Sequence, residues 1–166
     1  MALNEDLEKI ATQERELRLP RLDAQTAWEL GSRIRTLATD RGLSLVIDVR
    51  RFGQPLFYSA LDGTTADNAE WVRRKSNVVA RFHRSSYAVG ITLKVKGTTL
   101  VERYGLPVAD YAADGGSFPL IVENAGIVGS VTVSGLPQRD DHNLVVEALC
   151  AHLGRDFEGL KLGPES

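Results

Sequence analysis

Two stretches of strand-forming sequence, each turned back on itself, most constrain this chain. Leu43–Val49 (LSLVIDV) runs into Phe52-Gly53-Gln54-Pro55 and then Leu56–Ala60 (LFYSA). Phe118–Glu123 (FPLIVE) runs into Asn124-Ala125-Gly126 and then Ile127–Val133 (IVGSVTV). A β-branched run, a short turn of Gly, Pro or Asn, and a second run together predict an antiparallel hairpin. The rest of the chain reads mainly as helix. The order is ααββα, then a segment that reads as helix or strand, then ββα. Two hairpins separated by helices exclude an alternating βαβ parallel sheet. They predict an α+β fold, an antiparallel sheet with helices packed on it.

The helices come from apolar spacing and punctuation. Leu3, Leu7, Ile10, Ala11 and Leu17 recur at helical intervals, and Pro20 ends that segment. Asp23 is the expected N-cap of a helix reaching Asp40, with Gly42 as the C-terminal cap. Residues 66–85 read as one long helix. Tyr87–Val95 alternates like a strand, yet also suits a helix. Leu106–Gly116 reads as a loop. A last helix runs from about Asp140 to Leu153, its first turn capped by aspartate, and the tail KLGPES is expected to fray.

With 166 residues, 43% of them hydrophobic, the chain suits a single domain over 1–166. Residues 1–22 form an N-terminal helix and linker, and 155–166 form a tail. No apolar run approaches the ~20 residues of a membrane span. One cysteine, Cys150, excludes an intrachain disulfide and a cysteine-cluster metal site. The reading is a packed, inert thiol in a cytoplasmic protein. Charge is uneven. Residues 71–103 carry 8 basic and 1 acidic side chains, a net of +7 within a chain of net −2. Such a block faces an anionic ligand or pairs with the acidic flanks, within the molecule or across a subunit contact. It lacks interleaved aromatics, and the chain is acidic, so nucleic acid is not an expected partner.

Most informative is the long helix. At about 100° per residue, Trp71, Val72, Val78, Val79 and Phe82 form an apolar stripe, and Lys75 falls in its middle. A buried ammonium is costly unless it reaches solvent, meets an acid or meets an anion. One reading is a stem that packs while its head snorkels to water. The functional reading points Lys75 into a cavity between helix and sheet, with Arg74 and Asn77 near the rim. Gly115-Gly116, before the Phe118 strand, permit close backbone approach and could offer amides to an anion. Neither His83 nor His142 has metal-ligand spacing to another histidine. No phosphate-binding glycine loop and no serine-nucleophile elbow is present.

The block W-x-x-R-K-x-N-x-V-x-R-F-x-x-S-S (71–86) and the block G-G-x-F-P…G-x-V-x-V-S-G-L…D-D-H (115–142) resemble a known superfamily. It is the haem-degrading-domain superfamily of GlcG-like, HbpS-like and PduO C-terminal-like proteins, in its uncharacterised branch. The resemblance implies a profilin/PAS-like antiparallel sheet of about five strands with helices on both faces. The fifth strand would lie near 87–95 or 19–22. It also implies assembly into homodimers or larger rings, and an association with haem, for which His83 and His142 are the available imidazoles. The expected function is a small-ligand-binding or sensing module. Its pocket would be bounded by the 71–87 helix, Gly115-Gly116 and Ser134-Gly135. Lys75 would take an anionic group, a small organic acid or a haem propionate, with Arg74, Asn77 and Arg81 nearby. The alternatives are an oxidative haem-degrading enzyme and an oligomeric assembly protein without catalysis.

Overall fold

A computed structural model describes residues 2–165. The elements are α1 (Ala2–Glu16), β1 (Arg18–Leu19), α2 (Ala24–Asp40), β2 (Val46–Arg51), β3 (Gln54–Ala60), α3 (Ala66–Phe82), α4 (Ser86–Lys96), α5 (Leu100–Tyr104), β4 (Ser117–Val122), β5 (Gly126–Ser134), α6 (Gln138–Leu153) and α7 (Phe157–Leu160). The five strands lie in the order β1-β4-β5-β2-β3. Both expected hairpins form, and β2 pairs with β5 to join them. β1 is the fifth strand. Its two residues pair in parallel with Ile121 and Val122, so the sheet is mixed rather than wholly antiparallel. A strand of two residues carries no alternation for a sequence reading to detect.

The two faces of the sheet differ in chemistry. Ile47, Val49, Phe118, Leu120, Val131 and Val133 face α2 and α6 and form the main core. Strand alternation puts Asp48, Ser117, Ser130, Thr132 and Ser134 on the other face, and all five are buried. Helix α3 packs over that face, against β2, β4 and β5. The polar layer is partly satisfied within itself. Asp48 accepts two bonds from Arg50, and the Ser117 and Thr132 hydroxyls are 2.8 Å apart.

The ambiguous segment 87–95 is helical. Ser85 caps α4 through the Ala88 amide, and Gly97 ends it in the left-handed region. Its alternation has a packing cause. Tyr87, Ala88 and Ile91 pack with Ile10 of α1, while Val89 and Leu93 pack with Val78, Leu100 and Leu106. A helix buried on two sides loses its single apolar stripe. The short α5 falls where no element was expected. The tail is held through Gly163 rather than frayed from Lys161, and Ser166 of the expected frayed segment lies outside the described residues. Leu160 and Leu162 are buried, and Asn143 both donates to the Leu162 carbonyl and accepts from its amide, at 3.0 Å each.

Candidate functional site

Four residues of α3, Asp67, Asn68, Trp71 and Lys75, line a cavity of about 350 Å³ together with Asp114, Ser134, Gly135, Leu136, Gln138 and Asp141. Positions 67, 71 and 75 are successive i, i+4 neighbours on one helix face. The start of α3 is fixed by a reciprocal cap: the Thr65 hydroxyl accepts from the Asp67 amide, and Asn68 Oδ1 accepts from the Thr65 amide.

Lys75 is only 3% exposed, and it turns inward to meet an acid of its own chain. Its ammonium donates to Asp141 Oδ2 and to the Val133 carbonyl, each at 3.1 Å. Asp141 also accepts from the Leu136 amide at 2.9 Å and, more weakly, from the Gly135 amide at 3.4 Å. Burial pushes the Asp141 carboxyl up to about 6, against the opposing pull of Lys75 and those amides. Gly116 makes room for the pair. It has φ +138, and a Cβ there would lie 2.6 Å from Lys75 Nζ and 2.5 Å from the Val133 carbonyl oxygen.

Of the residues anticipated from sequence, the cavity brings together Lys75, Ser134 and Gly135, with Gly116 against Lys75. The others lie elsewhere or serve otherwise. The Gly115 amide donates to Gln138 Oε1 at 2.9 Å and is not offered to a ligand. Arg74 lies 4.4 Å from the Trp71 ring centroid and donates to the Val108 carbonyl, so it steadies the indole. Asn77 donates to the Asp110 carbonyl. Arg81 is exposed beside Phe82, away from the cavity. His83 ends α3 in the left-handed region, exposed and stacked on Phe52. His142 is 1% exposed, with its Nε2 2.8 Å from Gln13 Oε1. Gln13 donates its amide hydrogens to the Leu160 carbonyl, so the imidazole Nε2–H donates to Gln13. Burial pushes the His142 imidazole down to about 3, which keeps it neutral.

The sequence predicts that at least one of Asp140 and Asp141 caps α6, but the cap position is Pro137 and no side chain caps it. Asp141 instead reaches back to the amides that precede the helix. The signal available was the demand that a buried lysine find an acid. The pairing spans 66 positions and needed the fold to identify it. Trp71, Asp67, Asn68, Asp114 and Gln138 were not anticipated as lining residues.

The family described as "Haem degrading protein HbpS-like" matches residues 22–150. The chain belongs to the HbpS-like family. It is 59% identical over 162 residues to a UPF0303 protein of Paraburkholderia phymatum, covering 98% of each chain. The solved structure of Ybr137w protein is similar with a TM-score of 0.84 at 27% identity, covering 92% of this chain and 94% of that one. A PduOC:haem complex shares the fold with a TM-score of 0.68 at 13% identity, covering 78% and 94%. The family's name raises the question of haem, and the residues here do not fit axial ligation by an imidazole. Among the described residues no histidine lines this cavity or the larger one between α1, α4 and the tail. The Nε2 of His142 is committed to Gln13.

Proposed function

We propose that this HbpS-like chain is a small-ligand-binding module, and that the cavity between α3, the end of β5 and the start of α6 is its site. The observation that supports this is a buried ion pair, Lys75–Asp141, in the wall of a cavity of about 350 Å³. That volume falls within the range of small-molecule sites, roughly 300–1,000 Å³. An ammonium has three donors. Val133 and Asp141 take two, and the third serves an anionic group on the ligand. Protonation of Asp141, near pH 6, releases the lysine charge for that group, so a carboxylate binds more tightly as pH falls through 6. Self-association as a homodimer or larger ring and a cytoplasmic setting belong to the same reading.

The test is ligand-observed NMR with butanoate on the full chain at pH 5.5 and 7.5. Binding that is tighter at 5.5, and absent in a Lys75→Gln/Asp141→Asn double variant, supports the site. The double variant keeps both positions hydrogen-bonding and leaves no unpaired buried charge. Binding that is equal in wild type and double variant removes Lys75 from the site.

A further inference from the structure

The charges around this cavity do not balance. Its lining holds one cation, Lys75, and three carboxylates, Asp67, Asp114 and Asp141. Lys75 and Asp141 cancel one another. Asp67 and Asp114 make no side-chain hydrogen bond or ion pair among the described residues. Nor does the basic block neutralise them. Arg73 is spent on Glu70 and Asp110, and Arg74 on Val108 and the Trp71 ring. Lys9 and Lys94 line the larger neighbouring cavity, which Asp114 also borders, and neither is ion-paired with it.

A cleft with low-dielectric walls and an excess of one sign favours ligands of the other sign. A purely anionic molecule entering here would find one cationic donor at Lys75 and, on the same lining, two carboxylates without an ion-pair partner: the half-buried Asp114 and the exposed Asp67 in the first turn of α3. We infer that the ligand of this cavity is zwitterionic, carrying an ammonium held by Asp67 and Asp114 as well as the anionic group taken by Lys75. This rests on the cavity being a ligand site; the carboxylates specify what the site takes. The remaining lining groups suit such a molecule. Asn68 spends its oxygen on the Thr65 amide and Gln138 its oxygen on the Gly115 amide. Their amide NH₂ groups make no hydrogen bond among the described residues and are left to donate toward a carboxylate. The Trp71 ring, fixed on one side by Arg74, supplies an apolar wall for a short carbon chain.

The experiment compares three probes of matched length by ligand-observed NMR at pH 7.5: 4-aminobutanoate, butanoate and butylamine. Each is measured with wild type, an Asp67→Asn/Asp114→Asn double variant and a Glu123→Gln control in the exposed turn after β4. On wild type and the control, 4-aminobutanoate should bind about tenfold or more tightly than butanoate, which corresponds to roughly 1.4 kcal/mol. In the double variant that advantage should vanish. Because neither carboxylate is structurally bonded, the double variant should keep the wild-type circular dichroism spectrum. Equal affinity of 4-aminobutanoate and butanoate for wild type overturns the zwitterion inference and leaves the carboxylate site standing. So does an amine advantage that survives in the double variant. If no probe gives a signal that the Lys75→Gln/Asp141→Asn variant abolishes, the ligand-site reading falls, and this inference with it.

Discussion

At the scale of single residues, two adjacent side chains on the first turns of α6 carry opposite acid–base strain. Asp141 is held in a site that favours its protonated form, and His142 in one that favours its neutral form. The signs follow from proton counting. Between pH 3.8 and 6 the folded Asp141 binds more proton than the unfolded one, so its contribution to stability falls as pH rises through that window. Between pH 3 and 6.5 the unfolded His142 binds more proton than the folded one, so its contribution falls as pH drops. At 1.36 kcal/mol per unit, the full effects are about 3 kcal/mol for Asp141 and about 5 kcal/mol for His142. From pH 6 to pH 4 the two contributions run in opposite directions in the wild type. Variants separate them. Relative to wild type, the melting temperature of the Lys75→Gln/Asp141→Asn double variant, which leaves no unpaired buried charge, should fall on acidification from pH 6 to 4, because it lacks the compensating gain. That of His142→Gln should rise relative to wild type over the same interval. Thermal unfolding followed by circular dichroism at half-unit pH steps reads both differences. Parallel curves for all three proteins would show that neither group is perturbed by its site.

At the scale of elements, sequence punctuation carried the reading wherever one local rule acted alone. Asp23 caps α2 by accepting from the Thr26 amide, and both hairpins turn where Gly53 and Gly126 take positive φ. The rule failed where a segment answers to two neighbours. Helix α4 shows apolar residues on two sides because it is buried on two sides, and the tail looks frayed because its anchors lie on other elements. Those anchors are side chains of α1 and α6. Lys9 donates to the Gly159 carbonyl, Gln13 to Leu160, Asn143 to Leu162 and Arg139 to Gly163. The candidate site divides in the same way. Lys75 was legible because a charge in an apolar stripe is a local anomaly. Ser134 and Gly135 were legible through the family resemblance, but Asp141, Gln138 and Asp114 were not, since they come from α6 and the loop before β4. The anchoring of the tail is testable. Leu162→Ala should destabilise the protein by about 2–3 kcal/mol, at the low end for a buried leucine, and Asn143→Ala by about 1–3 kcal/mol through the unpaired Leu162 amide and carbonyl. Urea midpoints measure the loss, and faster hydrogen exchange at 160–163 in both variants locates it. Exchange in the tail that is already fast in the wild type would contradict the described packing.

At the scale of the whole molecule, the fold is shared with a domain known in complex with haem, and the question is whether the scaffold or the side chains decide what is bound. Fold alone does not transfer a ligand, because a binding function resides in the site residues. Haem iron requires an axial donor, commonly a histidine nitrogen, and the protein's levers act through that ligand and its surroundings. In this chain His142 would have to break its bond to Gln13 and leave a fully buried position that also borders Tyr87 and Phe118. His83 is accessible, but it stands at the C-terminal end of α3, outside both cavities. Stoichiometric haem added to the wild type should therefore give no Soret band that either imidazole controls. The spectrum should be the same in His83→Ala and His142→Gln as in the wild type, while His142→Gln alone alters the stability profile described above. A sharp Soret band abolished by His83→Ala would move the ligand site to the exposed end of α3. One abolished by His142→Gln would require α1 and the tail to release from α6 when haem binds. Hydrogen exchange at Leu160 and Leu162 with and without haem would then report that release directly, since both amides belong to the segment that Gln13 and Asn143 hold in place.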